Sequence, residues 1–179
     1  KFDIAIGGLI VNPERLAKAN FSIPYLNMTT AVVVKDHRRN KFTSWRAIDK
    51  KLNARLGVVG ERRANMARRD LPNTEVVLLE TYSDFFTDNQ KEVDALVISA
   101  EAGSAWTLVY PEYAVAVPLP DLIKVPLAYP LPKGDREMVD FINGWLILKQ
   151  KDETIEKLYN HWILGKGADK KEPRWSIIR

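Results

Sequence analysis

The chain contains no cysteine, which excludes a disulfide framework, cysteine-based zinc sites and thiol catalysis. Histidine is nearly as scarce. His37 and His161 are the only two and fall in different predicted elements, which argues against a histidine-rich metal centre; no metal and no cofactor is expected. No uncharged apolar run reaches the roughly 18–20 residues that cross a bilayer. Internal repeats and low-complexity tracts are missing too. Nor does one charge dominate: 27 Lys and Arg stand against 23 Asp and Glu, a net charge of +4. Two basic clusters, His37 to Lys41 and Arg62-Arg63 with Arg68-Arg69, read as a solvated loop and a solvated helix face. Neither is accompanied by a helix-turn-helix pattern or an RNA-type aromatic motif, so no nucleic-acid partner is expected. Lys1 to Ile6 lacks the apolar core and cleavage site of a signal peptide and reads as a strand entered from its middle. Glu172 to Arg179 trails off in apolar and basic residues. Both ends read as cuts in a longer polypeptide.

What is present is an ordinary globular balance, 46% hydrophobic and 28% charged over 179 residues, long enough for a sizeable core. An apolar strand from Ile4 breaks at Gly7-Gly8. Asn12 then caps a short turn or helix opened by Pro13. Ala31 to Val34 is a β-branched run that reads as a buried strand, followed by a polar loop through Lys41. Ser44 caps a short helix. Leu56 to Val59 reads as a strand, Glu61 to Arg69 as a helix stopped at Leu71-Pro72, and Glu75 to Leu79 and Asp94 to Ile98 as further strands. Ser83-Asp84 caps a short helix between them. Strands alternating with helices predict an α/β sheet with parallel strands. Val115 to Leu131, cut by four prolines, suits crossing or edge strands. Met138, Phe141, Ile142, Trp145 and Leu146 fall on one helical stripe capped by Asp135. Ile155, Leu158, Tyr159 and Trp162 form a second stripe closed by Gly165; both stripes are expected in the core.

The order of motifs carries more than any one of them. A strand with a Gly-Gly end precedes Pro13-Glu14-Arg15, and a polar spacer leads to Phe21-Ser22-Ile23-Pro24-Tyr25. Further on come Ser44-Trp45 with Ile48, Gly57-Val58 ahead of a helix, Val93-Asp94-Ala95 ahead of a strand, and Lys133-Gly134-Asp135 ahead of the last helices. This succession resembles family 3 of the extracellular solute-binding proteins from Asp3 to about Gly165. The resemblance implies an α/β, two-lobed type II periplasmic-binding-protein fold whose lobes close around a ligand by a hinge motion. Residues 1–35 would be the remainder of lobe 1's first segment with the first crossing strand, and 36–118 would be lobe 2. Residues 119–165 would return to complete lobe 1, and 166–179 would be a tail. The first strands and helix of lobe 1 are absent by this reading, leaving a sheet edge that further chain or a homo-oligomer would cover.

The same resemblance places the ligand-binding residues. Arg15 stands where the family holds the ligand carboxylate, and a guanidinium gives that group a bidentate grip. Gly8 and Ile10 stand where hydroxyls are common; Gly8 offers a backbone N–H, while Ile10 offers no side-chain hydrogen bond. Arg62 and Arg63, in the first turn of a lobe 2 helix, replace small hydroxyl residues and oppose the helix dipole, a broken local rule of the kind found at functional sites. Ser99 falls where an Asp normally meets the ligand's amino group, with Glu101 close by as a substitute. Extra arginine and a lost aspartate favour an acidic ligand, a dicarboxylate or another organic acid.

The function implied is a non-catalytic extracytoplasmic domain, periplasmic or tethered to the membrane, that captures a small carboxylate-bearing ligand for transport. Its partner would be a membrane transporter, either a separate permease or a fused domain. A ligand-sensing module, a cyclic-acid dehydratase with Glu101 as general acid or base, and a scaffold that no longer binds ligand are the rival readings.

Overall fold

The computed structural model describes residues 3–87, 92–164 and 166–167. Along the chain come α1 (Pro13–Lys18), β1 (Asn20–Phe21), β2 (Leu26–Lys35), a 3-10 turn (Asp36–Lys41), α2 (Trp45–Lys51), β3 (Arg55–Val59) and α3 (Glu61–Asp70). There follow β4 (Glu75–Leu79), α4 (Asp84–Thr87), β5 (Ala95–Ser99), α5 (Ala100–Val109) and β6 (Tyr113–Ala116). The last described elements are β7 (Lys124–Leu127), β8 (Pro130–Leu131), α6 (Arg136–Lys151) and α7 (Thr154–Trp162).

The organising element is β2. Its first half, Leu26 to Thr29, pairs antiparallel with β7. From Thr30 onward it is central in the order β4-β3-β5-β2-β6, with β5 on one side and β6 on the other. Ala31 to Val34 are fully buried because this half of the strand has sheet on both sides and helices on both faces. The alternation of a strand sends Val32 and Val34 to one face, with Phe42, Ile48, Leu56 and Leu71. Val33 goes to the other, with Leu79, Phe85, Leu96, Ile98 and Tyr113.

Most predicted elements form where the sequence placed them. Asn12 caps α1 by accepting the Arg15 N–H at 2.9 Å, Ser44 caps α2 through Ala47, and Asp135 caps α6 through Met138. Four readings need correcting. The sheet is mixed: β3 runs parallel to β4 and β5, but β2 is antiparallel to β5, because β2 enters it as a crossing strand. Ile4 to Ile6 forms no ladder; the segment is tied to the return strand by single bonds, such as Ala5 N–H to Pro130 O at 3.2 Å. The loop to Lys41 is a 3-10 turn. The α6–α7 stripes are not core: Phe141 is 69% exposed, Trp162 55% and Trp145 43%, while Leu146 is buried. A helix lying against one layer buries only the strip that faces that layer. Gly165 and residues 168–179 lie outside the described residues.

The Phe21–Tyr25 signature is structural. Ser22 is buried, its N–H donates to Tyr129 O at 3.0 Å, and its hydroxyl accepts the Tyr129 N–H at 3.0 Å. Ile23 N–H donates to the Asn143 side chain at 2.8 Å, and Tyr25 stacks on Tyr129 with ring centres 4.6 Å apart. Burial raises the pKa of both phenols. The signature thus ties the entry to β2 onto the return strand and α6.

Candidate functional site

Two short helices face an open cavity of about 590 Å³ lined by Glu14 of α1 and by Arg62, Asn65, Met66 and Arg69 of α3. Those α3 residues lie at i, i+3, i+4 and i+7, one face of a helix. The other side of α3 is buried through Ala64. The helix starts at Gly60, whose φ of +91° suits glycine and turns the chain from β3 into α3.

The expected ligand residues fall into three groups. Gly8, Ile10 and Arg15 stay together beside β7: Ile10 bridges to Leu127, and the Arg15 guanidinium donates to Ile10 O at 2.8 Å. Gly8 and Arg15 are exposed, but neither lines the cavity beside Glu14. The second group is split. Arg62 lines the cavity and makes no hydrogen bond or ion pair among the described residues, whereas Arg63 turns away and donates to the Tyr82 hydroxyl at 2.6 Å.

Ser99 and Glu101 form the third group, at the join of β2 with β5. The Ser99 hydroxyl caps α5 by accepting the Ala102 N–H at 3.2 Å. Glu101 is only 8% exposed. Its carboxylate accepts the Thr29 N–H at 3.3 and 3.4 Å and the Tyr159 hydroxyl at 3.0 Å. The Tyr159 phenol has a raised pKa, first from burial and then from the neighbouring carboxylate.

Sequence reasoning missed α5 altogether, along with Glu14, Asn65, Met66, Arg69, Thr29 and Tyr159. The α3 residues had a legible signal in their spacing from Arg62. Tyr159 had none, since it meets Glu101 across 58 residues of chain.

Asp94, of the Asp-Ala pair, has a structural task. Its carboxylate accepts the Arg55 N–H at 2.9 Å and the Arg38 guanidinium, joining the start of β3, the start of β5 and the 3-10 turn. Burial raises its pKa, but those two donors outweigh burial and hold it below the ordinary carboxylate value.

Comparison with known proteins decides the lineage. The bacterial extracellular solute-binding proteins, family 3, match residues 1–165. The chain belongs to this family. It is 24% identical over 167 residues to the cyclohexadienyl dehydratase of Pseudomonas aeruginosa, covering 91% of this chain and 61% of that protein. It is 20% identical to the ABC transporter arginine-binding protein 1 of Escherichia coli, covering 91% and 67%. Among solved structures, an ancestral cationic amino acid solute-binding protein superposes with a TM-score of 0.73 at 26% identity, covering 90% of this chain and 69% of that one. The fold is the type II periplasmic-binding fold, and this family chain spans under two thirds of the dehydratase it matches. Among the described residues, no helix is long and apolar enough to cross a membrane, and no group of His, Asp and Glu could hold a metal ion.

Proposed function

We propose that this chain is the ligand-binding part of an extracytoplasmic solute-capture protein that takes a small acid between two lobes and hands it to a membrane transporter. The observation that carries the reading is the α3 face of Arg62, Asn65 and Arg69, turned across an open cavity toward α1, with Arg62 unpaired among the described residues. In this reading residues 36–118 are lobe 2, 1–35 are the remainder of lobe 1's first segment with the first crossing strand, and 119–165 are the return crossing strand and the last helices of lobe 1. The split pairing of β2 supports a crossing strand there: it pairs with β7 up to Thr29 and with β5 and β6 from Thr30 onward, so the change of side falls at Thr29–Thr30. Hinge closure would bring Arg15, Gly8 and Ile10 toward α3, so that Arg15 grips one carboxylate and Arg62 a second acidic group. Both side chains are exposed, and Arg15 would exchange its bond to Ile10 O for the ligand.

The ligand class follows from charge. Two arginines face the cleft, the Ser99 hydroxyl is committed to the α5 cap, and Glu101 is held by Thr29 and Tyr159. That leaves Glu14 as the acidic side chain lining the cavity, against Arg62 and Arg69. Calorimetry of the intact protein with succinate, L-glutamate, L-aspartate, L-arginine and neutral amino acids tests the reading. The acids should bind most tightly, and a preference for arginine would sink it. The transporter would be a separate permease or a fused domain, which the full reading frame distinguishes. The exposed α6–α7 face would be covered by further chain or by a second copy; light scattering tells these apart.

One observation favours a second reading, a dehydratase acting on cyclic acids: Glu101 is a buried carboxylate with a phenol beside it. Turnover of a prephenate-like acid that Glu101→Gln abolishes would establish it. Absence of turnover, with binding intact, would leave capture alone.

A further inference from the structure

Glu101 sits at the one place where the two halves of β2 change partners. Thr29 is the last β2 residue paired with β7, and Thr30 is the first paired with β5. Glu101 fills this junction from α5 and accepts the Thr29 N–H. Three features bind α5 to the sheet that β5 and β6 form with the second half of β2: the Ser99 cap, the direct run from β5, and Gly103. A methyl group on Gly103 would stand 2.9 Å from Val33 Cγ2 and 3.1 Å from Val115 Cγ2. Tyr159 approaches from α7, which packs on α6 and so belongs to the other side. The 3.0 Å bond from the Tyr159 hydroxyl to Glu101 therefore joins the two sides directly at the pivot.

We propose that Glu101 and Tyr159 form a hinge latch that holds the lobes in the arrangement seen here, with the cavity between α1 and α3 open. The inference rests on the two-lobe reading above. A buried carboxylate depends on its donors, because little water reaches it and each bond to a charged acceptor is worth about twice a neutral one. Rotation about Thr29–Thr30 carries α5 with the sheet while α7 stays with α6. The phenol must then leave the carboxylate, or α7 must shift with it. Either way, departure from the resting arrangement works against this bond, and a closed, ligand-bound state has to offset its loss. Glu101 in this role is a positioning residue that touches no ligand.

The test uses spin labels on the intact protein at Lys18→Cys in α1 and Arg68→Cys in α3. Both residues are exposed, and this chain has no cysteine of its own. Distances are measured without ligand and with succinate or L-glutamate, in the native background and with Tyr159→Phe or Glu101→Gln. Tyr159→Phe removes one hydroxyl and should shift the ligand-free distribution toward shorter distances. It should also tighten the Kd for the acid by roughly ten- to a hundredfold, the scale of one hydrogen bond to a charged group. Glu101→Gln keeps one oxygen acceptor and should act in the same direction less strongly. If the native distribution responds to acid while both variants match it in distance and Kd, the latch is wrong and the bond is merely structural. If the native distribution is narrow and no acid moves it, the two-lobe cleft reading itself fails.

Discussion

Replacing Asp94 by Asn tests how the 36–118 side is held together. The substitution keeps the size of the side chain and removes its charge. In the native protein one carboxylate oxygen accepts the Arg55 N–H at 2.9 Å and the other takes the Arg38 guanidinium. The Arg38 and Asp94 side chains are 30% and 27% exposed, so water screens the pair only in part. An amide can keep one of the two bonds, and its NH₂ group then faces the other donor. With hydrogen bonds to charged groups worth about 1.5–3 kcal/mol, Asp94→Asn should cost about 2–3 kcal/mol. For a chain of 179 residues that is a fall in Tm of about 4–12 °C, at roughly 2–4 °C per kcal/mol. The pH dependence has a definite sign. A carboxyl whose folded pKa is depressed contributes its full stability above its unfolded pKa of about 3.9 and loses it as pH falls toward the lower folded value. The Tm gap between native and Asp94→Asn proteins should therefore be constant above about pH 5 and close at lower pH. Calorimetric scans from neutral to acid pH measure it. A gap below about 1 °C at pH 7, or one that stays constant into strong acid, would refute the reasoning.

Three further outcomes follow from the packing and the cavity. Gly103→Ala should lower the denaturant midpoint by about 1–3 kcal/mol of stability, because its methyl meets Val33 and Val115 inside a packed layer; an unchanged midpoint would mean that α5 lifts freely from the sheet. Ser22→Ala should cost about 1–2 kcal/mol by leaving the Tyr129 N–H without its hydroxyl partner, measured by chemical denaturation. Arg62→Gln should weaken succinate or L-glutamate binding by roughly tenfold or more, while Arg63→Gln, already committed to Tyr82, should leave it near native; equal losses in calorimetry would overturn the division of the α3 face.

Local rules read well in this sequence, and long-range ones did not. The Asn12, Ser44 and Asp135 caps, the strand at Glu75 to Leu79 and the helix ended before Pro72 depend on residues a few positions apart, and the structure has them. Ala31 to Val34 could be read as buried because a run with no polar alternation suits a strand covered on both faces. The antiparallel entry of β2 was hidden because strand direction is set by connections, not composition. Helix α5 was hidden because Ala, Gly, Ser and Thr dilute its apolar stripe, and Gly103 serves close packing against propensity. The exposed aromatics of α6 show the limit of periodicity: a stripe shows which side of a helix is apolar, and only the fold shows whether that side is covered.

The placement of Ser99 and Glu101 draws these strands together. Ser99 ends β5, pairs with Thr30 and caps α5, so one residue closes a strand and opens a helix at the crossing point. Two residues later, Glu101 uses that helix start to reach Thr29 from within the fold. An acidic side chain at Ser99 itself would stand at the strand end; the carboxylate here is instead carried inward by one helical step and saturated by Thr29 and Tyr159. If the proposed cleft and latch hold, moving the negative charge from strand end to pivot would remove a partner for a ligand ammonium and add a contact between the two sides of the hinge. On the proposed reading, ligand charge preference and hinge energetics would both depend on the same short stretch, Ser99 to Glu101. A double substitution, Ser99→Asp with Glu101→Gln, should shift binding from succinate toward L-aspartate and at the same time move the ligand-free lobe distance. If calorimetry and spin-label distances respond independently to the two single substitutions, one segment does not govern both properties.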